Sequence, residues 1–240
     1  MKILLIIPAY NEEKCILKTY EEIVTYNKKN KTNYEVIVIN DGSKDNTKNI
    51  LEKNKIPHIN LIRNLGIGGA VQTGYKYAYQ NGYDVAIQYD ADGQHDVKYI
   101  KNMIEIIEKD EADFVIGSRF IEQDKDDFLS TKARRVGIKL ISNAIKIRTG
   151  KKIYDTTSGL RASNKKVIKF FSQNYPTEYP EPITNMILLK QGYRIKEIGV
   201  KMRYRYAGKS SIRAWKNVYY MINVLLSIFL ISYKGGQINE

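Results

Sequence analysis

Residues 85–96 read VAIQYDADGQHD, and this stretch decides which fold the chain can adopt. Val85, Ala86 and Ile87 have the composition of a buried β-strand. Asp90 and Asp92 follow almost at once. Ligands of open parallel sheets bind beyond the carboxyl ends of the strands. A strand that ends in carboxylates therefore predicts an α/β protein with its functional site at that end.

Similar apolar runs recur along the chain at intervals of about 25–30 residues, the length of a strand and a helix together. These runs lie at residues 3–7, 36–39, 59–62 and 114–117. Segments with helical spacing occur at 16–24, 71–79, 97–107 and 132–148. Such alternation predicts right-handed βαβ units and a mainly parallel central sheet with helices on both faces. Asn81-Gly82 is expected to end the helix that contains residues 71–79.

Composition indicates a folded protein with one main core, since 43% of the 240 residues are hydrophobic and 27% are charged. The single Cys15 excludes a disulfide framework and suits a reducing compartment. The N-terminal apolar run covers only Ile3–Ile7, with no small-residue cleavage site after it. We interpret it as a strand rather than a signal peptide.

The formal net charge of +13 is unevenly distributed. Residues 132–152 contain eight Lys or Arg and no acid, and residues 190–216 contain nine with only Glu197 opposing them. Such segments attract phosphates, anionic lipid or nucleic acid, although they also form ordinary solvated faces. No RNA- or DNA-binding motif accompanies the basicity, so a nucleic-acid partner is not expected.

The C-terminal run 218–233 is nearly free of charge. Its 16 residues fall short of the roughly 20 that span a bilayer as a helix. Two interpretations remain: a final helix that packs on the core or on a partner subunit of a homo-oligomer, or a helix that lies in the plane of a membrane surface.

Four of the predicted strands end in polar clusters that would meet at one edge of the sheet. The clusters are Pro8-Ala9-Tyr10-Asn11-Glu12, Asn40-Asp41-Gly42-Ser43, Asp90-Ala91-Asp92-Gly93-Gln94 and Gly117-Ser118-Arg119. Taken alone, a cluster such as Asn40–Ser43 is an ordinary turn and helix cap. Together they predict a site.

Asp90 and Asp92 would point to the same side of an extended segment. Two carboxylates so close repel each other unless a cation lies between them, and hard oxygen ligands suit Mg²⁺ or Mn²⁺. A solvated acidic turn is the alternative. His95 is expected to support this group or to lie at the surface, rather than to bind the metal.

The GIGGA segment, residues 66–70, is expected to be a loop at a helix start where backbone N–H groups, including that of Gly69, approach an anion. It has neither the dinucleotide fingerprint nor the P-loop spacing. A tight turn for helix packing explains it equally well.

The motifs PAYNE (8–12), INDGS (39–43), GIGGA (66–70), DADGQ (90–94), GSR (117–119) and DTTSGLRA (155–162) occur in this order. Over residues 1–215 they resemble inverting family 2 glycosyltransferases of the GT-A fold, in particular the branch similar to dolichyl-phosphate mannose synthases. Each motif alone is weak, and the ordered set is specific.

The resemblance implies three groups of site residues. The nucleoside of a UDP- or GDP-linked sugar would contact Pro8, Ala9, Tyr10, Glu12, Ile39 and Asp41. The diphosphate and its Mg²⁺ or Mn²⁺ would lie at Asp90, Ala91, Asp92 and Gln94. Further phosphate contacts would come from Arg119, Arg205 and Lys209. Here the sequence departs from the branch, whose Arg-x-x-Gly-x-Ser-Lys pattern ends in a lysine, whereas position 211 is Ser and Lys209 lies two residues earlier.

The acceptor decides whether a general base is needed, because a phosphate is already a nucleophile and a sugar hydroxyl is not. In many hydroxyl-using members an Asp about eleven residues before a Gly-aromatic pair is the base, and here that position holds Glu181. We therefore expect Glu181 to be the base, with Asp155 as a second candidate base or acceptor-orienting group. Alternatively Glu181 pairs with an Arg or begins a helix, and Asp155 caps a loop.

The sequence thus predicts a metal-dependent transferase at the inner face of the plasma membrane, peripherally bound, that moves a sugar to a hydroxyl of a lipid-linked glycan in surface polysaccharide synthesis. A polyprenyl phosphate acceptor and a non-catalytic binder of nucleotide sugars or polyanions are the alternatives. Residues 1–120 would bind the donor, 121–215 would form an acceptor-side helical and basic extension, and 216–240 would be an apolar helix and tail.

Overall fold

The structure, a computed structural model, describes residues 1–121, 132–204 and 214–230, except for the side chains of 132–134 and 214–220. These residues form seven strands and eight helices. In chain order they are β1 (Ile3–Ala9), α1 (Ile16–Asn30), β2 (Tyr34–Asn40), α2 (Thr47–Lys53), β3 (His58–Asn60), α3 (Gly66–Gln80), β4 (Val85–Gln88), α4 (Lys98–Glu108), β5 (Phe114–Ser118), α5 (Lys132–Thr149), β6 (Arg161–Asn164), α6 (Lys165–Gln173), α7 (Pro180–Lys190), β7 (Ile195–Gly199) and α8 (Ala214–Leu230).

One sheet contains all seven strands, in the order β3-β2-β1-β4-β6-β5-β7. All neighbouring pairs are parallel except those of β6, which runs antiparallel to both β4 and β5. The predicted α/β class and mainly parallel sheet are therefore confirmed. The boundary expected at residue 215 stays a prediction, although β6 and β7 show that residues after 120 complete the sheet begun by those before it.

Two apolar layers cover the two faces of the sheet, because successive strand residues point to opposite sides. In β1, Leu4 and Ile6 pack with α3, α6 and α7 on one face, whereas Leu5 and Ile7 pack with α1 and α4 on the other. Helix α3 approaches β1 closely at Gly74, where an added Cβ would lie 2.2 Å from Ile6 Cγ2.

The boundaries of several elements differ from those predicted. The third strand covers only His58–Asn60 rather than 59–62. Helix α3 begins at Gly66, so the expected GIGGA loop is wrong: these residues form the first turn of the helix. A Cβ on Gly68 would lie 2.4 Å from Pro176 O, so this turn packs against another segment. The predicted helix end at Asn81-Gly82 is confirmed.

Helix α8 covers most of the apolar C-terminal run, whose residues 231–233 lie outside the described ranges. On α8, Val224 and Ile228 are buried in the core. No helix among the described residues has both the length and the apolarity to cross a bilayer.

Candidate active site

Hydrogen bonds within the loop after β4, and one from helix α1, fix this loop in place. Tyr89 Oη donates to His95 O at 2.7 Å, and Thr19 Oγ1 donates to Ala91 O at 2.7 Å. Within the loop, Gln94 N donates to Asp92 Oδ1 at 3.0 Å. Asp92 is buried and Asp90 is half-buried. The acidic pair therefore lies on a rigid turn at the carboxyl end of β4 and not on a freely solvated one.

Two residues hold the side chain of Asp90. The Nε2 atom of the buried His95 lies 3.0 Å from Asp90 Oδ2, which agrees with the predicted supporting role of His95. The backbone of Gly159 also approaches this carboxylate so closely that an added Cβ would lie 2.4 Å from Asp90 Oδ2. Glycine is therefore required at 159 for this carboxylate position. Sequence reasoning did not assign Gly159 a role, although its DTTSGLRA motif was recognised.

A buried ion pair lies beside this loop. Arg119 Nε donates to Asp155 Oδ2 at 2.6 Å and its Nη2 donates to Asp155 Oδ1 at 2.6 Å. Burial alone would raise the pKa of Asp155, but the hydrogen bonds and charge of Arg119 outweigh it and hold that pKa below its ordinary value. Arg119 also donates to Thr157 Oγ1 at 2.7 Å. This geometry favours the orienting role of Asp155 over the role of a base.

Glu197 of β7 holds the backbone that carries Asp155. Its two carboxylate oxygens accept from Tyr154 N at 2.7 Å and from Asp155 N at 2.8 Å. Burial raises the pKa of Glu197, and these N–H donors partly counteract the rise. From the sequence, Glu197 was only an isolated acid in a basic segment. The residues around it could not predict its contact with Asp155, which lies 42 positions earlier.

Glu181 lies in the first turn of α7, and it is half-buried. Burial raises its pKa, the positive charge of Arg161 opposes the rise, and Asp90 adds to it. Glu181 is therefore close enough to Asp90 for the two charges to interact. The predicted base and the predicted metal ligands thus share one end of the sheet.

The fully buried Arg161 connects this helix with the sheet. Its Nε donates to Ser158 O at 2.7 Å, and its Nη1 donates to Thr184 Oγ1 at 2.6 Å. Thr184 in turn donates to Pro180 O at 2.7 Å, at the start of α7. Arg161 Nη2 is buried without a hydrogen-bond partner among the described residues. The guanidinium thus places a positive charge beneath Glu181 and fixes the turn that carries it.

The loops after β1 and β2 are joined by reciprocal hydrogen bonds. Asn11 N donates to Ser43 Oγ at 3.0 Å, and Lys44 N donates to Asn11 Oδ1 at 2.8 Å. Glu12 N donates to Thr47 Oγ1 at 2.9 Å. A cavity of about 400 Å³ lies between these loops, lined by Asn11, Glu12, Glu13, Lys14, Cys15, Lys44 and Asp45.

Asp41 occupies the helix start at which an anion was expected. Its Oδ1 accepts from Leu65 N at 2.7 Å, while Gly66 N donates to Asn64 Oδ1 at 3.0 Å. Burial raises the pKa of Asp41, and the nearby backbone N–H groups of Leu65 and Gly66 oppose the rise. The chain therefore supplies its own carboxylate to the N-terminus of α3.

The remaining residues that were predicted to contact the substrate differ in their solvent exposure. Tyr10 is 42% exposed at the rim and Glu12 is half-buried. The others are all buried: Pro8, Ala9, Ile39, Gly69 and Ala91. Their contact with substrate stays a prediction. Arg205 and Lys209 lie outside the described residues.

The segment after β7 contacts the loop that carries Asp90 and Asp92, which we call the acidic loop. Arg203 N donates to Gln94 O at 2.8 Å, and the Arg203 guanidinium lies 2.8 Å from Asp96 Oδ2. Both the backbone and the side chain of Arg203 therefore contact the loop that carries Asp90 and Asp92.

Comparison with known proteins identifies the family. The model of the family described as "Glycosyl transferase family 2" matches residues 4–171, which is more than half of the chain. This chain belongs to glycosyl transferase family 2. It is therefore a glycosyltransferase.

Family 2 members similar to it include enzymes of lipid-linked sugar synthesis. A UDP-N-acetylglucosamine–dolichyl-phosphate N-acetylglucosaminyltransferase of Methanococcus voltae is 33% identical over 84% of this chain and 86% of its own. A dolichol-phosphate mannosyltransferase of Pyrococcus furiosus is 31% identical over 89% of this chain and 60% of its own.

Solved structures share the GT-A fold with this family 2 enzyme. Mannosyl-3-phosphoglycerate synthase from Rubrobacter xylanophilus superposes with a TM-score of 0.74 at 15% identity, covering 100% of this chain and 77% of that one. Glucosyl-3-phosphoglycerate synthase from Mycobacterium tuberculosis, in complex with Mn²⁺, UDP-glucose and phosphoglyceric acid, gives 0.69 at 16% identity over 98% and 81%.

The acidic loop of this glycosyltransferase fits a hard divalent cation. Asp90 and Asp92 offer carboxylate oxygens on a fixed turn, with Gln94 next to them. The described residues contain no group of three or more His, Cys, Asp or Glu that surrounds a metal by itself. Mg²⁺ and Mn²⁺ commonly take one or two carboxylates and complete their shell with water and substrate phosphates. The donor set fits a cation bound together with a diphosphate.

Proposed function

We propose that this glycosyltransferase moves a sugar from a UDP- or GDP-linked donor to a polyprenyl phosphate, with inversion and with the help of Mg²⁺ or Mn²⁺. Relatives that cover most of the chain and act on dolichyl phosphate support a phosphate acceptor over the glycan hydroxyl that the sequence alone favoured. An undecaprenyl-phosphate mannosyltransferase of Micrococcus luteus, 29% identical over 68% of this chain, points the same way.

The observation that carries the proposal is the bidentate Arg119–Asp155 ion pair beside the acidic loop. It commits one of the two candidate bases to a salt bridge, with a pKa below the ordinary value. A phosphate monoester needs no base, because its oxygen is already anionic. With Asp155 held in this pair, only Glu181 is left as a candidate base, whereas a phosphate acceptor needs neither carboxylate as a base.

In the proposed reaction an acceptor phosphate oxygen attacks the anomeric carbon opposite the leaving nucleoside diphosphate. The bond from that carbon to the diphosphate breaks as the new carbon–oxygen bond forms, and no proton is transferred. Asp90 and Asp92, with Gln94, would hold the cation, which when bound stabilises the charge that develops on the leaving diphosphate. Tyr10 and Asp41 would border the nucleoside.

Glu181 favours a second candidate, transfer to a sugar hydroxyl. Burial raises its pKa, which makes it a stronger base than an exposed glutamate, and it lies close enough to Asp90 for their charges to interact. In the phosphate version Glu181 instead shapes the electrostatic field of the site together with Arg161.

We further propose that the enzyme works peripherally at the inner face of the plasma membrane. The single, buried Cys15 suits the reducing side of that membrane. The basic segments at 132–152 and 190–216 suit a negatively charged lipid surface.

The test is a transfer assay with two acceptors. Purified protein would be incubated with radiolabelled UDP- and GDP-sugars and Mn²⁺, and with either undecaprenyl phosphate or an undecaprenyl diphosphate that carries a saccharide. We expect label to enter the organic phase with the simple phosphate, as a product released by mild acid. Label that appears only on the saccharide-bearing lipid would contradict the proposal and favour the hydroxyl version.

A further inference from the structure

Helix α5 has an apolar stripe on its solvent side. Val136, Leu140 and Ile147 are 58%, 50% and 75% exposed. They are spaced by four and seven residues, which places them on one line along the helix. The opposite side of α5 is buried through Ile141 and Ile145. The helix is therefore apolar on two sides, and only one of them faces the core.

A basic stripe runs alongside the apolar one. Arg135, Lys139 and Lys146 are exposed and repeat the same spacing one residue earlier. Neither α5 nor the residues up to Lys152 include an acid. An apolar line beside a cationic line is the pattern of a helix that lies on an anionic lipid surface.

Helix α8 extends this surface. Its exposed side carries Ile222, Leu226, Phe229 and Leu230, each at least 49% exposed. The two helices pack together where Gly137 faces Met221, because a Cβ at 137 would lie 3.0 Å from Met221 Sδ. Helix α8 also has no Asp or Glu.

These two helices hold an unusual share of the exposed apolar surface. Seven of the fifteen exposed large hydrophobic side chains among the described residues lie on α5 and α8. Scattered exposed hydrophobic residues need no explanation, but a concentration of this kind marks an interaction surface.

We propose that this surface docks the enzyme on an anionic lipid bilayer. We call it the α5–α8 face and define it by Val136, Leu140, Ile147, Ile222, Leu226, Phe229 and Leu230 with Arg135, Lys139 and Lys146. The inference rests on the proposed function and deepens it, since it names the surface through which the enzyme meets a membrane-borne acceptor.

The charge of the α5–α8 face favours an anionic bilayer over a second copy of the chain as its binding partner. Two copies that met through the α5–α8 face would bring like charges together, because α5 and α8 carry cations and no anions. An anionic bilayer neutralises the cations while the apolar side chains enter the region between headgroups and acyl chains. The lysines can bury their stems and keep their charged ends at the headgroups.

The experiment is flotation of the full chain with vesicles of phosphatidylcholine alone or mixed with phosphatidylglycerol. We expect binding to the anionic vesicles that weakens as salt rises. Leu140→Glu with Ile147→Glu should reduce binding at least about tenfold, because each substitution removes an exposed apolar side chain that the bilayer would bury on docking. Lys139→Glu with Lys146→Glu should reduce it at least about fivefold per lysine lost from the headgroup region.

Matched controls lie elsewhere on the molecule. Ile62→Glu changes a fully exposed hydrophobic residue in the loop after β3, and Lys28→Glu with Lys29→Glu changes two exposed lysines at the end of α1. Both controls should bind as the unaltered protein does. Thermal melting of every variant separates lost docking from lost folding, and the two lysine pairs test the charge requirement without touching apolar packing.

Unchanged binding of both face variants would overturn the inference, as would failure of the unaltered protein to bind anionic vesicles. A dimer in solution that Leu140→Glu with Ile147→Glu dissociates would also overturn it, in favour of a second copy. Transfer to a short, water-soluble prenyl phosphate separates this inference from the proposed function. The variants with substitutions in the α5–α8 face should keep this activity. If the unaltered protein lacked it, the proposed function would be contradicted, whereas the result with vesicles would still stand.

Discussion

At the scale of the residue, the position of one carboxylate depends on two neighbours of different kinds. His95 contacts Asp90 through a hydrogen bond, whereas Gly159 contributes only the absence of a side chain. The acidic pair was predictable from its spacing after a strand. The dependence on Gly159 was not, because the contact joins residues 69 positions apart.

Gly159→Ala should lower kcat/KM at least about 10²-fold with only a small change in Tm, because the new Cβ displaces Asp90 rather than the core. His95→Gln should lose about 10- to 100-fold, since it alters the support of a ligand and not the ligand itself. Steady-state kinetics and thermal melting check both. Equal activity of Gly159→Ala and the unaltered enzyme would show that Asp90 need not occupy this position.

Glu181→Gln tests whether the acceptor needs a general base, because it replaces one carboxylate oxygen of Glu181 with an amide nitrogen. With polyprenyl phosphate we expect activity within about tenfold of the unaltered enzyme, because removal of a general base costs about 10²–10⁴ only where a base is used. The measurement is kcat with each acceptor. A loss beyond about 10²-fold with polyprenyl phosphate would mean that Glu181 takes part in the chemistry.

Asp155→Asn tests the buried ion pair through its pH dependence. Removing one partner of such a pair costs about 3–5 kcal/mol, so Tm should fall by on the order of 10 °C at pH 7. Arg119 lowers the pKa of Asp155, so the stability of the pair is present above the ordinary value of 3.8 and is lost as pH falls through the lowered native value.

The difference in Tm between Asp155→Asn and the unaltered protein should therefore be large at pH 7 and shrink below about pH 4. Asp110→Asn is the control, because this exposed carboxylate also pairs with an arginine, Arg194, but at the surface. Its Tm should hardly change. A Tm gap for Asp155→Asn that does not shrink at all as the pH falls from 7 to below the ordinary value of 3.8 would contradict the ion-pair interpretation.

At the scale of the element, the sequence was informative where the buried residues are apolar. Strands β1, β2, β4 and β5 were predicted from continuous apolar runs, as expected for strands covered on both faces. Strand β6 was not predicted, because Arg161 and Ser163 are polar. Both are buried only because Thr184 and Tyr75 supply hydrogen bonds from distant helices.

Helix α3 shows a second limit of secondary-structure prediction from the sequence. Its glycine-rich start favoured a loop, yet Gly68 and Gly74 serve close packing against the segment at Pro176 and against Ile6. Intrinsic propensity disfavours glycine in a helix by only about 1 kcal/mol each, which tertiary packing can outweigh. The partners of these contacts become known only with the fold.

Gly74→Ala should destabilise the protein by about 1–3 kcal/mol, because a Cβ there overlaps Ile6 and forces α3 away from β1. Denaturant unfolding measures the effect. Lys76→Ala, an exposed position of the same helix, is the control and should leave the midpoint nearly unchanged. A stabilised Gly74→Ala protein would show that the helix tolerates the added methyl group.

At the scale of the whole molecule, strand order brings together residues that the sequence separates. Strand β6 lies between β4 and β5, so the motif that leads into it reaches both Asp90 and Arg119. Helix α7 adds Glu181 to the same end of the sheet. The order of the motifs predicted the family, but only the antiparallel insertion explains why the second half of the chain completes a site begun by the first.

The central claim is that Asp90 and Asp92 bind a divalent cation beneath the donor's diphosphate. Isothermal titration calorimetry with UDP and GDP, with Mn²⁺ or with EDTA, tests it most directly. We predict that one nucleotide binds at least about tenfold more tightly with Mn²⁺, and that Asp90→Asn with Asp92→Asn abolishes the difference while Tm is kept. Equal nucleotide affinity with and without the metal in the unaltered protein would contradict the claim.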